Sequence, residues 1–241
     1  MNSCAYKKAV YNSFKKGFSD GIPIGLGYLS VSFGFGIMAT ERGIPAIVAL
    51  VMSLTNLTSA GQVAGVGIIA TGGTLLEMAI SQLVINMRYA LMSVSLSQKM
   101  HSSVGIFDRL WISFGNTDEI FAVSASKPAE LGKRYMAGIM IAPIVCWSSG
   151  TILGALAGSI LPKSVCSALG IAIYGMFVAV FVPPMKRSSI ITFVVLLSSG
   201  ISCAFKVVPA LGFVSEGFVI IICAVVSATL GAIFAPVKDL E

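Results

Sequence analysis

Arg88 stands in the middle of an apolar stretch. Residues 75–100 read LLEMAISQLVINMRYALMSVSLSQKM. At about 1.5 Å of rise per residue, a helix over this stretch places the guanidinium about 20 Å from its start. That is close to the centre of a bilayer core about 30 Å thick. An ionisable group there costs at least about 2.5 kcal/mol on insertion scales, so it faces a partner or a polar interior rather than lipid. Glu77 precedes it by about three turns on nearly the same face, and Gln82 and Asn86 form a second polar strip. Further polar groups at depth are Asn56, Thr58, Ser59 and Gln62 beside Gly61, then Asn116, Thr117, Asp118 and Glu119. One cation, several carboxylates, amides and exposed backbone suit a zwitterion. Arg88 or a broken helix N-terminus holds a carboxylate, and an acid or free carbonyls hold an ammonium. Asp118, Glu119 and Glu77 are the candidates for coupling to a proton gradient. Simpler roles stay open: Arg88 pairs with Glu77, Asp118 or Glu119 to lock the bundle, and Asp118 caps a short helix.

Other chemistry is poorly served. His101 is the sole histidine, so His/Cys metal centres are excluded by count. No HExxH, GxSxG, P-loop or nucleotide-binding GxGxxG is present. An enzyme is therefore not expected, and no cofactor is implied. Cys4, Cys146, Cys166, Cys203 and Cys223 are scattered and read as small packing residues.

The elements that position these groups are membrane helices. Of 241 residues, 56% are hydrophobic and 11% charged, and the mean hydropathy is +0.92. Several apolar runs reach spanning length. The net charge of +6 reads as a topology signal, not a nucleic-acid footprint. The predicted architecture is an all-α polytopic membrane protein of seven or eight segments, some broken or kinked. A basic cytoplasmic tail (1–16) precedes a transport domain (17–236), and a short cytoplasmic tail (237–241) follows.

The first span, 17–39, contains a GxxxG pair at Gly21 and Gly25 and a bend or break at Pro23. The second, 44–70, reads either as a helix interrupted near 58–62 or as a kinked helix packed through small residues. The third is 74–99. Residues 105–126 are polar, but the positive-inside rule favours a crossing there, as two short helices broken near Gly115-Asn116. Spans at 133–160, 165–183, 188–206 and 215–236 follow, with Pro183-Pro184 ending the second of these. Both termini are then cytoplasmic. No internal repeat is evident.

Four stretches carry a resemblance: Ser59-Ala60-Gly61-Gln62, Asn86-Met87-Arg88-Tyr89, Thr117-Asp118-Glu119 and Gly175-Met176-Phe177. In order and spacing, over residues 14–236, the chain resembles the AzlC family, the large subunit of branched-chain amino acid exporters of the LIV-E class. The family often has Ala-Gly-Ser-Ala-Gln where Thr-Ser-Ala-Gly-Gln stands here, and His where Tyr89 stands. The resemblance implies secondary active export of Leu, Ile, Val and Met by proton influx. It also implies a small AzlD-like membrane partner of about four spans. The substrate-binding candidates are Asn56, Ser59, Gly61, Gln62, Asn86 and Arg88. The alternatives are transport of another small metabolite, or a membrane scaffold subunit without transport.

Overall fold

The computed structural model describes residues 10–158 and 160–234. Ten α-helices occur among them: α1 (Phe14–Glu41), α2 (Ala46–Thr55), α3 (Ser59–Ala70), α4 (Leu75–Gln98), α5 (Ile106–Phe114), α6 (Asp118–Ala125), α7 (Lys133–Gly158), α8 (Lys163–Arg187), α9 (Ser189–Val207) and α10 (Glu216–Phe234). Two short strands, β1 (Val10–Tyr11) and β2 (Glu130–Leu131), pair in parallel. The protein is an all-α polytopic membrane protein. Helices α1, α7 and α9, and α10 from Gly217, are long and apolar enough to cross a membrane. Pro23 and Pro143 lie within unbroken α1 and α7, and α8 continues through Pro183-Pro184 to Arg187. The sequence had placed a stop there. The carboxy-terminal tail, 237–241, lies outside the described residues.

Helices α1 and α7 run parallel and in backbone contact. A Cβ on Gly21 would lie 3.1 Å from the Ile139 carbonyl carbon, and one on Gly36 would lie 2.6 Å from Ala155 N. The GxxxG expectation for Gly21 and Gly25 is met, because both face α7. This pair fixes two ends for the bundle. Phe14 and Lys133 begin at one end, and Glu41 and Gly158 finish at the other.

The remaining helices are placed by contacts at these ends. The backbone of Leu131 bonds to Lys99 and His101 on both sides: Leu131 N donates to Lys99 O at 3.0 Å, and His101 N donates to Leu131 O at 2.9 Å. Thus α4 finishes where α1 and α7 begin. Asp108 at the start of α5 pairs with Lys133 at 3.2 Å, and Lys99 donates to the carbonyl of Ala125 at the end of α6. Residues 105–126 therefore enter and leave at the same end. They form a re-entrant hairpin, not the crossing expected from the positive-inside argument. Leu96, Met100, Val104, Ile112, Ile120, Leu131 and Tyr135 bury together around its base.

Residues 44–70 mirror this arrangement. Ile44 and Ala49 share a core with Val66 of α3 and with Met38 and Ala39 at the end of α1. Both arms of the α2–α3 pair thus reach the end opposite to the first hairpin. At about 1.5 Å per residue, helices of 8 to 12 residues cover only about half of a bilayer core. The interrupted helix is confirmed, with its break at Asn56-Leu57-Thr58, and the chain reverses there instead of continuing. Six full-length helices and two opposed hairpins make up the eight membrane segments.

An inverted repeat results. One long helix and one hairpin (α1, then α2–α3) are followed by another such unit (α4, then α5–α6) that enters from the other end. Sixty residues after Ala46 opens α2, Ile106 opens α5. The same interval carries Ile44 onto Val104, both buried, and Asn56 onto Asn116 at the two breaks. This corrects the expectation that the chain has no repeat.

The hairpins also sharpen the charge bias. Lys15, Lys16, Lys99, Arg109, Lys127, Lys133, Arg134, Lys186 and Arg187 lie at the end where α1 begins, and Arg42, Lys163 and Lys206 at the other. Lys99 and Arg109 move to the basic end. Because two hairpins replace two crossings, the described chain still starts and finishes at one end, which the positive-inside rule assigns to the cytoplasm.

Candidate functional site

The two hairpin tips meet beside the middle of α4, where a cavity of about 260 Å³ opens. Arg88, half-way along α4, holds Asp118 at 3.0 Å from Nη2 to Oδ2. The two side chains are 45% and 40% exposed, so the pair borders the opening rather than a sealed core. The guanidinium donates to the Tyr89 hydroxyl at 3.0 Å and lies 4.8 Å from that ring's centroid. The Tyr89 hydroxyl in turn donates to Asp118 at 3.4 Å. Thr117 is the N-cap of α6, and no side chain caps that helix. Asp118 and Glu119 occupy its first turn, where the helix dipole favours negative charge. Asp118 is therefore engaged by Arg88 and Tyr89, and the capping role is not the one observed.

Glu119 accepts a hydrogen bond from Tyr28 of α1, whose hydroxyl also lies 2.7 Å from that of Thr117. Tyr28 packs edge-on against Trp147 of α7, with centroids 5.3 Å apart. Opposite these acids, Ser59 and Ala60 form the first turn of α3 at the cavity wall. Thr58, its N-cap, makes no cap bond to the helix; its hydroxyl donates to the Asn56 side chain at 2.8 Å. The leading N–H groups of α3 are thus left without a side-chain cap. Leu57, Trp147 and Phe181 supply the apolar wall.

The predicted residues separate into three groups. Ser59, Arg88, Asp118 and Glu119 share the cavity. Asn56 and Asn86 line a neighbouring cavity at the tips and are joined through Gln82, whose Oε1 accepts from both amides at 3.2 and 3.1 Å. Gly61 gives its carbonyl to Gln82 at 2.8 Å, and a Cβ there would lie 2.6 Å from Gln82 Oε1. Gln62 is fully buried. Its amide donates to the carbonyls of Met52 and Asn56 and accepts from Trp147 Nε1 at 3.2 Å, which locks the reversal of the chain. Glu77 lies far from the tips. It is buried and accepts from Gly217 N at the start of α10 at 2.9 Å. Met176 and Phe177 side chains lie outside the described residues.

Sequence reasoning passed over Tyr28, Leu57, Trp147 and Phe181. Tyr28 carries a usable signal, as a lone large polar ring in a glycine-rich span.

A model of the AzlC protein family matches residues 23–161, which covers both hairpins and α7. The chain belongs to the AzlC family. It is similar to an uncharacterized membrane protein of Archaeoglobus fulgidus, 31% identical over 175 residues, 72% of this chain and 76% of that one. It is also similar to the inner membrane protein YgaZ of Escherichia coli, 28% identical over 73% of this chain and 74% of YgaZ. The branched-chain amino acid transport protein AzlC of Bacillus subtilis is 22% identical over 73% of this chain and 69% of its own. No solved structure matches. With these relatives, this AzlC-family chain is placed among membrane proteins.

Proposed function

We propose that this AzlC-family protein is the substrate-carrying subunit of a secondary active exporter for Leu, Ile and Val, with Met as a further substrate, driven by proton antiport. The reading rests on one observation: Arg88 and the uncapped first turn of α3 share a cavity with Asp118 and Glu119. An α-carboxylate suits the guanidinium and the helix N-terminus. An ammonium suits the acids, and an aliphatic side chain suits Leu57, Trp147 and Phe181. The name of the Bacillus subtilis relative supports the substrate class. Protonation of Asp118 removes part of the negative charge that holds the ammonium and leaves Glu119, so a proton weakens substrate binding without abolishing it, as antiport requires.

A small AzlD-like membrane subunit completes the exporter in this reading. Helix α9 has no buried residues, which leaves its apolar surface free for lipid or such a partner. Loading cells with dipeptides raises internal amino acid by hydrolysis, and an exporter lowers it again. Internal Leu, Ile, Val and Met should fall only in cells that carry this chain, and further when the small partner is present. Unchanged levels in every case would overturn the reading. Loss of a different metabolite would favour the broader alternative.

A further inference from the structure

A second cavity, of about 170 Å³, lies between the two hairpin tips. Thr55, Asn56 and Thr58 of one tip and Asn116 of the other line it, with Asn86 of α4. Every lining residue is uncharged. The orientation of three of the amides, Gln82, Asn56 and Asn86, is forced. The Gly61 carbonyl accepts only, so Gln82 turns its nitrogen towards it, at 2.8 Å. Gln82 Oε1 then faces Asn56 and Asn86, which must present their nitrogens, at 3.2 and 3.1 Å. Asn116 spends its nitrogen on the Ser93 hydroxyl at 3.3 Å. The Thr58 hydroxyl donates to Asn56 Oδ1, and the Thr55 hydroxyl to the Val51 carbonyl at 2.7 Å.

Each of these amide nitrogens is thus engaged by a protein acceptor, while acceptor oxygens remain. Asn86 Oδ1 and Asn116 Oδ1 are buried without a partner, and Asn116 as a whole is 2% exposed. A buried amide oxygen left unpaired costs about 1–3 kcal/mol, so two of them on one cavity call for a ligand. The carboxy-terminal ends of α2 and α5 also stop here, at Thr55 and Phe114, and both add the negative ends of their dipoles.

We infer that this cavity binds a small monovalent cation through neutral oxygens, either an alkali ion or the ammonium of a solute. The negative ends of the two helices oppose an anion there. Divalent ions lack the carboxylates that offset their dehydration. The inference goes beyond the export reading and is tested without transport.

The test measures the melting temperature of the purified full chain at fixed ionic strength. The chloride salts compared are those of sodium, potassium, ammonium, methylammonium and N-methylglucamine. Binding to the folded state raises the melting temperature in a saturable way. At least one small cation should raise it by several degrees over N-methylglucamine. A response to sodium or potassium assigns an alkali ion, and a response only to ammonium and methylammonium assigns a solute's ammonium. Asn116→Leu should weaken the half-saturating concentration at least tenfold. Asn116→Asp keeps the shape and adds a charge, so it should bind the same cation more tightly and begin to respond to calcium. Equal melting temperatures in all five salts, or an unchanged response in both variants, would overturn the inference. Loss of export activity with an intact cation response would instead overturn only the export reading.

Discussion

Arg88 and Asp118 are held 3.0 Å apart across the seam between α4 and the second hairpin, with the Tyr89 hydroxyl bonded to both. The contact joins a long helix to the first turn of a short one. It is half exposed, so its worth to stability is small, about 0–1 kcal/mol. Its position in the cavity is the more informative property.

Arg88→Lys keeps the charge but loses the planar fork that grips a carboxylate with two bonds. Export by this variant should fall at least tenfold with normal amounts of protein in the membrane. Arg88→Ala should abolish export. Wild-type flux from the alanine variant would remove Arg88 from the site.

Asp118→Asn mimics the protonated acid. Gradient-driven export should be lost while substrate exchange persists, with little dependence on pH. Efflux and counterflow in vesicles containing the protein and its partner check this. Full proton-driven efflux would take Asp118 out of the coupling step.

Gln62→Leu should act on folding more than on transport. The change strands Trp147 Nε1 and the carbonyl of Asn56, at about 1–3 kcal/mol for each unsatisfied buried group; the Met52 carbonyl keeps the Asn56 N–H. Reduced accumulation and a lower melting temperature are expected. A stable, inactive variant would show that Gln62 meets the substrate after all.

The α1–α7 contact gives a paired comparison. A Cβ on Gly36 would overlap the Thr151 carbonyl oxygen, whereas one on Gly27 meets nothing within 4 Å. Gly36→Ala should destabilise by about 1–3 kcal/mol, and Gly27→Ala should be neutral or slightly stabilising. Thermal unfolding in detergent distinguishes them.

Topology is tested by thiol labelling in a background without native cysteines. Cysteines at Lys99 and Lys127 should behave alike towards an impermeant reagent and resist it in intact cells. One at Arg42 should react. Opposite behaviour at Lys99 and Lys127 would restore a crossing at 105–126.

Much of this was legible in the chain. The break at Gly115-Asn116 appeared where it was expected, because glycine and a short amide sit between two apolar runs. The first break was placed a few residues late. Ser59, Ala60 and Gly61 look like poor helix formers, yet they form the first turn of α3, and Asn56 ends α2 instead. The direction of the chain after each break was not legible. An interrupted helix has the same hydropathy whether it continues or turns back, and the reversal is set by distant contacts such as Leu131 with Lys99. Reading both hairpins as crossings makes two errors that cancel in parity. The ends of α4 and the start of the second hairpin change side, and with them Lys99 and Arg109, while every later basic residue keeps its side.

Helix α4 has a consequence for leakage. Gln82 and Asn86 hold one tip, and Arg88, Tyr89 and Ser93 hold the other. One rod of about three turns between Gln82 and Ser93 therefore interlocks both. A slide or rotation of this rod that frees one tip also changes the grip on the other. A solute passing from end to end meets both barriers, and an open conduit needs both withdrawn together. Carrying them on a single stiff helix makes that double failure a strained state.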